Sequence, residues 1–155
     1  MSEISTLQGI LRSAARGPAW HGPSVADTLK DISPDQAASH PIENVHSIWE
    51  LLLHMDAWQV FALRMCEGNP TPMLKGDADW PPVTDVSDAA WITAKEAFAD
   101  HARQLNDCFG AWDDAKLREA IPGGEFPFKV LLHGVVHHNI YHAGQIALLK
   151  KGLAS

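Results

Sequence analysis

The sequence predicts an all-α protein, a four-helix bundle with short extra helices in its connections. Three observations carry that expectation. Apolar residues recur at intervals of three and four over four long stretches. Glycine, proline and asparagine clusters stop each stretch. No stretch alternates as a half-buried strand would; Val130 to Val136 is the nearest approach, and it continues a helical period into Ile146 and Leu149.

The first helix is expected over about 4–16, with Ile4, Leu7, Ile10, Leu11, Ala14 and Ala15 inward and Gly17-Pro18 as its stop. Gly22-Pro23 opens a short helix with Pro23 at its first position and Val25, Leu29 and Ile32 inward. Ser33-Pro34-Asp35-Gln36 reads as a capping box, in which Ser33 caps and Gln36 reaches back. The second long helix runs from about Asn44 to Cys66, on Ile48, Leu51, Leu52, Met55, Trp58, Ala62 and Met65, and Gly68-Asn69-Pro70 ends it. Three prolines and a glycine between Thr71 and Thr84 predict a surface loop. The third spans about 87–109, with Ala90, Trp91, Ala94, Phe98, Ala102, Leu105 and Phe109 on one stripe and Gly110 closing it. Leu117 to Ile121 is at most a short helical piece before Pro122-Gly123-Gly124. The fourth starts near Pro127 and reaches Lys151, with Gly152 past its end and two lysines at the negative end of its dipole.

Length and composition narrow the class. The 155 residues fit a single domain, taken as 1–155. A hydrophobic content of 46% excludes wholesale disorder. With 12 basic and 19 acidic residues the chain carries −7, which argues against coating nucleic acid, since few phosphate counterions could be displaced. No apolar run approaches the ~18 residues of a membrane span, so no membrane partner is expected. Met1-Ser2-Glu3-Ile4 has neither a basic nor an apolar leader region, so no secretory signal is expected and the protein is read as cytoplasmic. In that compartment Cys66 and Cys108 are expected to be reduced and structural.

Nine histidines in a chain of this size are the unusual feature. At 100° per residue, with His138 at zero, His142 lies at about +40° and Gln145 at about −20°, among the apolar positions of the last helix. His133 and His137 fall well outside that stripe, at about −140° and −100°. Imidazoles at i and i+4 have Cβ atoms about 5–6 Å apart, so both can reach one cation. On the second long helix His54 lies near the edge of the inward stripe, about −60° from Leu51. Three inward histidines on two helices would make a three-histidine metal site with a position left for water or substrate. Taken singly, an inward histidine is more often a satisfied core residue, so a metal-free bundle stands as the plainest alternative. Gln145 is expected to orient a ligand or to bond a neighbouring helix; Gly144 to allow close helix approach; Tyr141 to reach the pocket rim or to pack. His21 is expected in a capping or surface role, and His40, His46 and His101 as surface or structural residues. No carboxylate base is evident on the inward faces, since Glu50 and Asp56 lie off the stripe.

These segments resemble a known family. Trp20-His21-Gly22-Pro23-Ser24, Ser47-Ile48-Trp49-Glu50-Leu51-Leu52-Leu53-His54 and His133-Gly134-Val135-Val136-His137-His138-Asn139-Ile140-Tyr141-His142-Ala143-Gly144-Gln145-Ile146 are similar, in that order, to the opening, the first ligand helix and the signature helix of the DinB-like superfamily. The resemblance covers nearly the whole chain. Carried over position by position, it implies His54, His138 and His142 as metal ligands, the same three that helical geometry selects. It implies a cytoplasmic bundle, often a homodimer, holding a divalent transition metal such as zinc or nickel. It also implies a small-molecule substrate, with thiol S-transferase activity using a low-molecular-weight thiol, or metal-dependent hydrolysis. Thiol transfer is preferred, because hydrolysis usually wants a carboxylate base beside the metal. A non-enzymatic metal-binding or interaction protein is the reading from a different class, with the six tryptophans serving packing or a dimer face.

Overall fold

The computed structural model describes residues 2–153; Met1, Ala154 and Ser155, at the ends of the span read above as one domain, lie outside the described residues. Among the described residues there are six α-helices: α1 (Glu3–Arg16), α2 (Val25–Leu29), α3 (Pro34–Ala38), α4 (Ile48–Cys66), α5 (Asp88–Gly110) and α6 (Phe128–Leu153). No strand occurs among the described residues. Two single 3₁₀ turns, Gly76–Ala78 and Lys116–Arg118, punctuate the connections. The four long helices make the bundle. α4 packs against α5 and α6, and α1 packs against the same two, so α1 and α4 stand diagonally opposed. The short α2 and α3 carry the chain across that diagonal, packing on α1, α6 and α4 as they go.

Side-chain caps set where the first five helices begin. Ser2 Oγ accepts from Ser5 N–H at the start of α1, and the Asp114 carboxylate accepts from the N–H groups of Glu3 and Ile4. That second contact ties the first helix to the connection after α5, and it holds the Asp114 carboxyl below its usual range. Ser24, Ser33 and Ser47 each cap a helix in a reciprocal box with Asp27, Gln36 and Glu50. Two expectations shift as a result. Pro23 precedes the Ser24 cap rather than opening the helix, and the second long helix starts at Ile48 instead of near Asn44. Asn44 has φ 60°, a left-handed conformation that a helix cannot continue through. At the other end Gly152 lies inside α6, not beyond it.

The core divides into two lobes. One gathers Leu7, Leu11, Phe61, Leu105, Phe109, Leu132 and Val136. The other gathers Val25, Ile48, Leu52, Met55, Trp91, Phe98 and Ile146. Between them α4 and α6 supply a polar layer: His54 and Gln59 from one, His138, Asn139 and His142 from the other. Gln59 and Asn139 are both fully buried; Asn139 Nδ2 donates to Gln59 Oε1 at 3.2 Å, and Gln59 Nε2 donates to the Phe98 carbonyl at 3.1 Å. This exchange links α6, α4 and α5 in one register. No helix among the described residues is long and apolar enough to cross a membrane.

Candidate metal centre

Helical period delivers the three histidines to one point. His138 and His142 are one turn apart on α6, and His54 faces them from α4. His54 and His142 are each 6% exposed, and His138 is half-buried. The Nε2 of His138 lies 2.9 Å from that of His54 and 3.1 Å from that of His142. Two nitrogens each about 2.1 Å from one ion would stand about 3.0 Å apart at a right angle and about 3.4 Å apart at the tetrahedral angle. The observed separations are of that size, and the three side chains could hold one metal ion.

The other ring nitrogens strengthen the fit. His54 Nδ1 donates to the backbone carbonyl of Asp79 at 2.7 Å, with the Asp79 carboxylate 3.1 Å away. His142 Nδ1 donates to Gln145 Oε1 at 2.5 Å. With Nδ1 carrying the proton, Nε2 of each ring is left with its lone pair, and both lone pairs face inward. One proton on His138 Nε2 cannot satisfy both while Nδ1 of the same ring is buried with no partner among the described residues. Three convergent acceptors short of protons match the donor set of a divalent cation. Burial and the two neighbouring histidines push His138 down to about 4, and burial lowers His142 as well, against the Gln145 hydrogen bond. Protonation therefore interferes little with ligation near neutral pH.

Two residues of the site were not legible in the sequence as parts of it. Asp79 and Trp80 come from the proline-rich loop, which the 3₁₀ turn at Gly76–Ala78 folds back over α4. Both N–H groups bond the Gly76 carbonyl, at 3.0 and 2.9 Å, and the Asp79 carbonyl accepts from His54 Nδ1. The Trp80 indole stacks on His54 at 3.8 Å between centroids and 3° between planes. On its other face it stacks on His46 at 3.6 Å and 10°. The Trp58 Nε1–H donates to Asp79 Oδ1 at 2.8 Å, so the loop is fastened at two points of α4. The signal available was thin: an Asp-Trp pair before two prolines in a stretch without period.

The other expectations resolve as follows. Gln145 orients His142 rather than bonding another helix, and its Nε2 donates to the Tyr141 hydroxyl at 3.4 Å on an exposed ring. Gly144 faces open space, so it serves no close helix approach. His133 and His137 stay outside the cluster, His133 lying 3.6 Å from Glu3. His21 is exposed; His40 contacts Glu50; His101 pairs with Asp56 at 2.8 Å. Trp112 packs on Phe128, whereas Trp20 is fully exposed and does not wrap the core. Cys66 and Cys108 are free and partly buried, and burial raises both thiols, that of Cys66 well above its usual range.

A family model described as the DinB superfamily matches residues 21–146, a span that includes all three histidines, Asp79, Trp80 and Gln145. No curated protein and no solved structure matches the chain.

Proposed function

Because the chain belongs to the DinB superfamily, we propose that it is a metal-dependent enzyme of the thiol S-transferase type. In this reading His54, His138 and His142 hold one divalent transition metal, zinc or nickel, and the substrate is a small molecule. One observation carries it: the three Nε2 atoms converge while the Nδ1 protons of His54 and His142 are committed outward, to the Asp79 carbonyl and to Gln145. A metal used only as a structural clamp is normally closed by four protein ligands; three leave its coordination open.

An ion bound there supplies Lewis acidity, which lowers the pKa of a thiol or water at its open side. The chain's own residues fix the ligands. The Asp79 carbonyl and Gln145 hold two imidazoles in the tautomer that points a lone pair inward. Trp80 covers the outer face of His54 and keeps water from it. In the transfer itself the thiol loses its proton to solvent and its sulfur bonds to an electrophilic carbon. The leaving group departs with the electron pair of the bond that breaks. Thiol transfer is favoured over hydrolysis because the carboxylate that touches the cluster, that of Asp79, sits behind His54 and is engaged by the Trp58 N–H.

The test is metal content by mass spectrometry on tag-free protein and on the His54→Ala and His138→Ala variants. About one ion per chain, lost in both variants, is expected from a three-histidine site. A panel of small thiols with electrophilic acceptors follows, compared with His54→Ala. Stoichiometric metal with no turnover above that variant would make the chain a non-enzymatic metal-binding protein. No metal after zinc, nickel and manganese are offered would overturn the reading.

A further inference from the structure

A cavity of about 280 Å³ adjoins the histidine cluster on the α6 side. Its walls are Trp58 of α4, Phe126, and the α6 positions Val130, Leu131, Gly134, Val135 and His138. Val130, Gly134 and His138 follow one another at four-residue steps, so the cavity runs along α6 for about 12 Å at 1.5 Å per residue. Its far end is the aliphatic and aromatic pair Val130 and Phe126. Its near end is a ring of the metal centre.

The lining is carbon apart from His138. The Trp58 N–H, the other polar group available, is already donated to Asp79, so the indole offers the cavity only its hydrocarbon surface. Gly134 opens the middle: a Cβ there would meet nothing within 4 Å. A groove with no polar group along its length holds water poorly and gains by accepting apolar atoms. Its volume of about 280 Å³ lies just below the usual range for small-molecule sites, about 300–1,000 Å³, which suits a compact ligand.

We infer that this cavity receives the hydrocarbon body of a small molecule whose electron-donating head group binds at the metal. This assigns a substrate class, apolar-bodied molecules with a compact polar head, and it rests on the metal reading above. Trp58, Val130 and Val135 are then specificity-determining residues: they read chain length and shape, while the histidine cluster reads the head group. No charged side chain lines the cavity, so a charge on the part of a ligand that faces these walls is disfavoured by its desolvation cost.

The experiment uses cobalt-loaded full-length protein and a series of straight-chain hydroxamates from two to eight carbons, followed by the visible spectrum of the ion. Affinity should rise roughly fourfold per methylene until the cavity is full. In Gly134→Leu, which fills the middle of the cavity, acetohydroxamate should bind as in the wild type and the dependence on chain length should flatten. Val130→Phe, at a half-exposed position, is the second blocking variant should the first fail to fold. Affinity independent of chain length in the wild type, or an unchanged slope in a folded blocking variant, overturns the inference. Failure of the wild type to bind cobalt overturns the metal reading alone. The cavity is then judged by titrating 1-hexanol into the metal-free protein. Shifts in the methyl resonances of Val130 and Val135, absent in the blocking variants, support it, and no shift overturns it.

Discussion

The three imidazoles are held by different means, and the difference ranks their supports. His54 leans on a backbone carbonyl, which no substitution at Asp79 removes, with the carboxylate as a second contact. His142 depends on a single side-chain oxygen, that of Gln145. Loss of an outer hydrogen bond to a ligating histidine typically costs 10- to 100-fold in metal affinity. Gln145→Leu should therefore weaken zinc binding by roughly 10- to 100-fold. Asp79→Ala should weaken it by less, because the carbonyl stays. Competition against a chromophoric chelator measures both, and an Asp79→Ala loss larger than that of Gln145→Leu would contradict this ranking. Metal-free melting temperature should separate the two effects from misfolding, since Gln145 is not a core residue.

The helices α1 to α5 each begin at a serine cap, whereas α6 follows Pro127, and this decides how well the sequence reports each start. The stripes of α1, α4, α5 and α6 were legible because burial on one face imposes a period of 3.6. The start of α4 was misplaced because periodicity alone does not mark it. The Ser47–Glu50 box does, with Ser47 N–H donating to Glu50 at 2.8 Å and Glu50 N–H to Ser47 Oγ at 3.1 Å. Ser47 is 1% exposed, so its loss cannot be made good by solvent. Ser47→Ala should cost about 1 kcal/mol in urea unfolding. A midpoint unchanged within error would show that the box is not what starts the helix. The histidines of the site were legible for the same reason as the stripes, since His54, His138 and His142 sit on helices whose phase can be counted. Asp79 and Trp80 were not, because a proline-rich loop has no phase and its path is set by tertiary contacts with Trp58, His46 and His54. Helix order was not legible either: a stripe tells which face is buried, not which neighbour buries it.

Seen as a whole, the bundle carries a polar seam between its two apolar lobes, and that seam governs its response to acid. His138 and His142 both have lowered proton affinity in the folded chain, first because of burial. As pH falls from 6.5, the unfolded chain takes up protons that the folded chain refuses until about pH 4 at His138. Stability of the metal-free protein should therefore decline across that window, and the histidines' share of the loss is complete below it. Asp56 works in the opposite sense, since burial raises its carboxyl despite the His101 hydrogen bond, and protonation in acid suits its folded environment. Melting temperatures of chelator-treated protein between pH 7 and 4 should fall, and fall less steeply in His138→Gln. A flat profile in the wild type would contradict the account. The seam is also assembled from parts far apart in the chain: one histidine on α4, its carbonyl brace twenty-five residues later on the loop, and two histidines on α6. A chain still being synthesised exposes at most one of these imidazoles until α6 has left the ribosome. Any ion the cluster takes is thus selected by the folded bundle, with α4, the loop and α6 all in place.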